Sequence, residues 1–349
     1  MLSNTVSGNI GVGSNALTSN STGIKNVSIG YCSLVYNTTG AYNIGIGDAT
    51  LYTNTTGTNN VSIGFNNLIN NTYGCHNVAL GRAALSENTS GNGNIALGRR
   101  ALAYSTTGLY NIAMGRAAMY CNTTGTYNVA IGRSALYENV GGNNNIAIGR
   151  RALAFANATG PNVSIGVQSL YKLTTGGYNI SMGYNSGFNV TTGQQNVMIG
   201  VASMYNGGVS SKNVGIGHQS LGYLSCGYRN VAIGFQTGYQ LTSGNNNTIV
   251  GYCSFITSTV GAANTIIGSN NLTGAYNPTY MIALGTNIQQ NGNYSCSAAI
   301  GKDVMISASN YLFLGSTGAL LGQKVTASCT SSKYWKVYIN GVLECVLLI

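Results

Sequence analysis

Arginine supplies the one regular pattern of charged side chains in this chain of 349 residues. Arg82, Arg99, Arg116, Arg133 and Arg150 recur at every seventeenth position, with Arg100 and Arg151 beside two of them. A guanidinium is a permanently charged planar fork that grips carboxylates, sulfates and phosphates through paired hydrogen bonds. Residues 82–151 hold seven arginines against two glutamates, half of the net charge of +10. If the repeat stacks these arginines one above another, neighbours about 5 Å apart repel by roughly 0.8 kcal/mol in water, before salt screening. Bound anions would relieve that repulsion. Elsewhere the same column carries Tyr31, Phe65, Tyr184, Phe235 and Tyr252. Arginine beside aromatic rings suits anionic glycans, through hydrogen bonds and ring stacking. Three readings stand: a site for acidic polysaccharide, a contact for a partner capsid protein, or a solvated stripe that keeps an uncharged surface soluble. Nucleic acid is disfavoured, because no recognition fold or interleaved basic face accompanies the column.

Other chemistry lacks material. The two histidines, His76 and His218, lie more than eight repeats apart, and no two of Asp48, Glu87, Glu138, Asp303 and Glu344 fall within one repeat. Paired carboxylates, nucleophile–base pairs and metal-ligand clusters therefore do not arise, and neither an enzyme nor a cofactor is expected. Gly-x-Gly patterns such as Gly45–Gly47 lack the lysine and helix of a phosphate loop. Eight cysteines without a Cys-x-x-Cys pair read as free thiols from a reducing compartment.

The elements that place the arginines are written in a repeat. Asn–(Val/Ile)–small–(Ile/Leu/Met)–Gly recurs from Asn9–Gly13 to a variant at Met281–Gly285, always at the same seventeen-position interval. Asn111–Gly115 and Asn128–Gly132 are typical copies. Period-2 alternation marks a half-buried strand, and in Val129-Ala130-Ile131 the bulky residues are expected to face inward with Ala130 on the opposite face. Four residues after the glycine stands a second apolar anchor, among them Leu85, Leu102, Met119 and Leu136. A turn such as Asn122–Gly125 follows, where glycine is expected to supply positive φ. With no insertions, Gly81, Gly98, Gly115 and Gly132 stack in one column, and Asn111, Asn128 and their equivalents in another. Stacked asparagines either form an amide ladder, as in cross-β stacks, or merely suit the turn before a strand. The predicted fold is all-β: a parallel β-solenoid of 17-residue coils, about 80 Å long from strand spacing.

Composition agrees with this. Only 6% of residues are charged, while glycine reaches 50 and proline only 2. A coil with so few large apolar residues encloses a thin core, so single chains are expected to be marginal and to gain stability by association.

The Asn-Val-Ala-Ile-Gly strands, followed by Ala-Leu and a glycine turn, resemble the head repeats of trimeric autotransporter adhesins, the YadA-like family. The resemblance covers roughly residues 9–315. It implies a left-handed β-roll, a homotrimer, and a role in adhesion or attachment; similar repeats occur in fibres of phages and large DNA viruses. The 17-residue period is longer than the usual head repeat. No signal peptide, stalk or membrane anchor is visible, so the expected setting is a virion surface, the chain being made in the host cytoplasm. The expected partners are the chain itself, a host surface glycan or another virion protein, without membrane insertion. A cell-surface carbohydrate-binding adhesin is the second reading.

The expected organisation is a lead-in at 1–8, the β-roll at 9–297, irregular coils at 298–323 and a terminal segment at 324–349. In that last segment Asn340-Gly341 separates two β-prone runs, one holding Trp335, a strong hairpin signal. The hairpin would cap the solenoid and lock the trimer, or dock to another virion protein.

Overall fold

The computed structural model describes residues 8–157, 160–316, 334–339 and 342–347, and no helix occurs among them. The chain falls into two units, Met1–Asn179 and Ile180–Ile349.

The first unit is a parallel β-solenoid whose short strands run from Ile10–Val12 to Val163–Ile165. Each strand residue lies opposite its equivalent in the next coil, as in Ile112↔Val129 and Val129↔Ile146. Alternate backbone groups bond the coils above and below. The Ile112 N–H donates forward to the Asn128 carbonyl at 2.8 Å, and the Gly115 N–H donates back to the Leu97 carbonyl at 2.8 Å. Constant coil length is what lets strand amides find partners in the neighbouring turns.

The second unit repeats the architecture from Ile180–Met182 onward, with Val197↔Val214 and Thr248↔Thr265 in register. Beyond Gly285 the coils shorten, yet Gly285, Gly301 and Gly315 still lie opposite one another. A two-stranded pairing of Gln289–Gln290 with Met305–Ile306 forms a second, smaller sheet. Strands Tyr334–Ile339 and Val342–Leu347 pair antiparallel, the predicted hairpin, and the first of them joins the main sheet beside Leu312–Leu314. Asn340 and Gly341 lie outside the described residues.

One sequence expectation is reversed. In the strand triplets after the exposed first one, Ile10–Val12, the middle residue, not its bulky neighbours, faces the interior. Ala130 is fully buried, while Ile131 is 37% exposed and Val129 half-buried. The reason is volume. The anchors Leu85, Leu102, Met119 and Leu136 are fully buried and already fill the coil, leaving room opposite them for alanine, serine or glycine. At Ile249, a large inward residue of the second unit, the anchor position in the preceding coil is reduced to Gly238. A Cβ there would lie 3.1 Å from the Ile249 Cδ1.

Positive φ is also distributed differently from expectation. Besides the strand glycine, as at Gly115 (φ 133), it falls on three corners of the coil that are mostly not glycine, for instance Ala117 (φ 54), Met119 (φ 48) and Tyr127 (φ 56). The turn glycine Gly125 is needed for space instead. A Cβ there would overlap the Asn122 Oδ1 and lie 2.6 Å from the Gly142 carbonyl oxygen. Left-handed conformation costs an L-residue roughly 1–2 kcal/mol. Inter-coil hydrogen bonds hold these corners in place, such as Met119 N–H to the Ala135 carbonyl at 2.9 Å.

The asparagine column forms the ladder. In the first unit the Asn128 N–H donates to the Asn111 Oδ1 at 3.0 Å, and the Asn128 Nδ2 donates to the same oxygen at 3.1 Å and to the Gly142 carbonyl at 2.8 Å. The pattern repeats in the second unit until the Met281 N–H, which still donates to the Asn264 Oδ1 at 2.9 Å. A second ladder, not foreseen, runs through the turn asparagines Asn20, Asn37, Asn54, Asn71 and Asn88, with Nδ2 donating to the preceding Oδ1 at 2.7–2.8 Å. It is interrupted by Ser105. The buried Asn88 Oδ1 and Ser105 Oγ are left without hydrogen-bond partners. Ser105→Asn is therefore expected to bridge Asn88 and Asn122 and to stabilise the fold by about 1 kcal/mol, read as a higher thermal midpoint. An unchanged or lower midpoint would show that the gap is too short for an amide.

Candidate functional site

The arginine column is real and exposed. Arg82, Arg99, Arg116, Arg133 and Arg150 follow the strand glycine in successive coils of the first unit, and all are exposed. Strand residue Arg82 lies opposite Phe65, its guanidinium 5.5 Å from the ring centroid. Among the described residues, the ion pair is Lys302–Asp303 at 3.9 Å, so the seven arginines of this stretch face solvent without a carboxylate in contact. In the second unit the same coil position becomes aromatic: His218 stacks on Phe235 and Phe235 on Tyr252, with centroids 5.2 and 5.3 Å apart.

A depression of about 440 Å³ lies beside the column. Arg100 and Arg151 both line it from the same corner position three coils apart, a backbone separation of roughly 14 Å from the coil spacing. Between them that corner holds only Ala117 and Ser134, and Arg116 lines the trough as well. Tyr120, Tyr137, Phe155 and Tyr171 line it too, giving it an aromatic wall. Tyr120 and Tyr137 are stacked nearly parallel at 5.2 Å, and Tyr104 packs edge-on against Tyr120 at 4.9 Å. In the next coil the position of Tyr137 is taken by buried Ala154, and the ring moves one residue on to Phe155, which contacts Tyr171 edge-on. Among the described residues no ring stacks on the far side of Tyr137, where the next coil places Ala154 and Phe155.

The electrostatics are set by few groups. Glu138 is the one carboxylate lining the trough. Burial, then Cys121 and Glu138, push the Tyr137 hydroxyl up from its ordinary value, while Arg100 pulls in the opposite direction. The Tyr120 hydroxyl is raised chiefly by its hydrogen bond with Tyr104. Both phenols therefore stay protonated at neutral pH; the Tyr120 hydroxyl donates to the Tyr104 hydroxyl at 3.4 Å, and the Tyr137 hydroxyl keeps its proton to donate.

Of the predicted site residues, the structure brings Arg116 together with Arg100 and Arg151 at the trough. Arg82, Arg99, Arg133 and Arg150 do not line it. Sequence reasoning missed the tyrosine wall, although Tyr104, Tyr120, Tyr137, Phe155 and Tyr171 recur at close to the coil spacing. The structural residues Asn111 and Asn128 lie in the buried ladder, and Gly81, Gly98, Gly115 and Gly132 form a column in close backbone contact. Trp335 lies on the first hairpin strand. The six described cysteines are free, no cluster of metal-ligating side chains occurs among the described residues, and no helix there is long and apolar enough to cross a membrane.

Comparison with known family models, with curated proteins and with solved structures finds no match.

Proposed function

We propose that this chain is the structural subunit of a homo-oligomeric fibre, a trimer by its resemblance to adhesin head repeats, with an attachment role exercised through its arginine-bearing flank. The observation that carries the proposal is the reversed strand face. In the first unit Ile29, Ile63, Leu80, Met114 and Ile131 stand at one coil position and are each 36–38% exposed. In the second unit Met182, Ile233, Ile267 and Ile300 stand at the same position and are also exposed. Repeated apolar faces of this kind mark association surfaces. The occupant that fits is another copy of this chain. Its apolar residues recur at the same coil spacing, so parallel copies meet in register along each such face, and no charged residue interrupts the strand triplets.

Sedimentation of the purified chain is expected to give a trimer, and Met114→Lys with Ile131→Lys is expected to give a monomer. Burying two lysines against apolar neighbours, without partners, costs several kcal/mol per interface. A wild-type chain that is monomeric at micromolar concentration would remove the fibre reading. The phage and viral fibres that share such repeats support a place on a virus particle. Recovery of the chain in purified particles is the expected result, and recovery in a cell envelope instead would favour the adhesin.

A further inference from the structure

We infer that the trough between Arg100 and Arg151 is a binding site for a short segment of acidic carbohydrate, a chain of pyranose units bearing carboxylate or sulfate groups. The inference rests on the attachment reading above and deepens it by naming the ligand and the residues that read it.

Three features of the trough point to a sugar acid. The first is size: about 440 Å³ lies within the range of cavities that hold small ligands, roughly 300–1,000 Å³. The second is the placing of charge. Arg100, Arg116 and Arg151 all line the trough, none ion-paired among the described residues, so each guanidinium can take an anionic group by a forked hydrogen bond. A separation of roughly three coil heights, about 14 Å, suits acidic groups spread along a chain better than a single small ion. The third is the wall. The outer face of Tyr137 carries no stacked ring where the column steps from Tyr137 to Ala154 and Phe155. An apolar ring face beside polar edges is what a pyranose presents, and tyrosine offers the matching surface with a polar tip. Glu138 and the protonated Tyr137 hydroxyl supply an acceptor and a donor for sugar hydroxyls.

The solvated-stripe reading does not explain this arrangement. A solubility stripe needs charge at the surface, not a recess in which the small residues Ala117, Ser134 and Ala154 line the space beside Arg100, Arg116 and Arg151.

The test uses the full-length chain and two probes, a sulfated glycosaminoglycan hexasaccharide and an unsulfated hexamer of uronic acid, with a neutral hexasaccharide as control. Titration calorimetry at physiological salt is expected to show binding to at least one acidic probe and none to the neutral one. Which acidic probe binds distinguishes sulfate from carboxylate as the recognised group. Arg100→Ala with Arg151→Gln is expected to weaken binding at least tenfold. Both replacements have precedents at the same corner, in Ala117 and Gln168. Ala154→Tyr with Phe155→Thr copies the pair Tyr52-Thr53 of another coil, extends the tyrosine stack beyond Tyr137, and is expected to abolish binding with the fold retained. Arg82→Ala with Arg133→Ala, outside the trough, is expected to leave affinity within about twofold. Should the plugged variant bind like wild type, or should the Arg82 and Arg133 variant lose as much as the trough variant, the trough is overturned while attachment through the arginine flank stands. Should wild type bind neither acidic probe, the trough and the glycan form of the attachment reading both fall.

Discussion

Asn111→Asp is expected to destabilise the fold severely at neutral pH. Asn111 is fully buried. Its Oδ1 accepts from the Asn128 N–H at 3.0 Å, and its Nδ2 donates to the Asn94 Oδ1 at 3.1 Å and to the Gly125 carbonyl at 2.8 Å. A carboxylate keeps the acceptor but turns the donor into a second negative oxygen facing two oxygens. The cost includes two lost hydrogen bonds and an uncompensated buried charge, on the order of 4 kcal/mol or more. Asn111→Leu removes the charge term, orphans the Asn128 N–H, and is expected to cost about 2–4 kcal/mol.

The two variants separate by pH. Burial would hold the introduced carboxyl protonated in the folded state well above its unfolded pKa of about 3.9. A folded pKa above the unfolded one means that the folded protein is least penalised below pH ~4 and loses stability as pH rises from there toward the folded pKa. Denaturant midpoints at pH 4 and pH 7 should therefore differ for Asn111→Asp beyond any shift seen in wild type, and not for Asn111→Leu. An aspartate variant whose stability at pH 7 matches wild type would mean that the ladder contributes little.

Gly115→Val is expected to leave no folded soluble protein. A Cβ on Gly115 would sit 2.7 Å from the Gly132 carbonyl oxygen and 2.8 Å from its carbon, both backbone atoms of the next coil, and its φ of 133° is itself poorly suited to a side chain. Relief would require spreading the coils, which breaks inter-coil bonds such as Gly132 N–H to the Met114 carbonyl at 2.8 Å. Because β-branching adds bulk beyond Cβ, valine is expected to do worse than alanine. Gly141 is the control. It is exposed, a Cβ there meets only the Thr124 Oγ1 at 3.3 Å, and Gly141→Ala is expected to be neutral or slightly stabilising by restricting the unfolded chain. Far-ultraviolet circular dichroism and soluble yield report both outcomes. A folded Gly115→Val would show that the coil spacing is adjustable.

The strand register, the glycine column and the asparagine column were legible in the amino-acid sequence, and for one physical reason. A solenoid of constant coil length has translational symmetry, so spacing along the chain is spacing along the stack. Asn111 over Asn94 and Arg116 over Arg99 follow from counting positions. What lies within one coil does not. Whether Ala130 or Ile131 points inward depends on how a single coil closes on itself and on the space that Leu136 and its neighbours occupy. Only the tertiary structure decided that, together with the left-handed corners at Ala117 and Met119, where most coils carry a residue other than glycine. The trough has the same origin. Arg100, Tyr137 and Arg151 are brought to one recess by the shape of the corner between strand and turn, a property of the cross-section that the period does not carry.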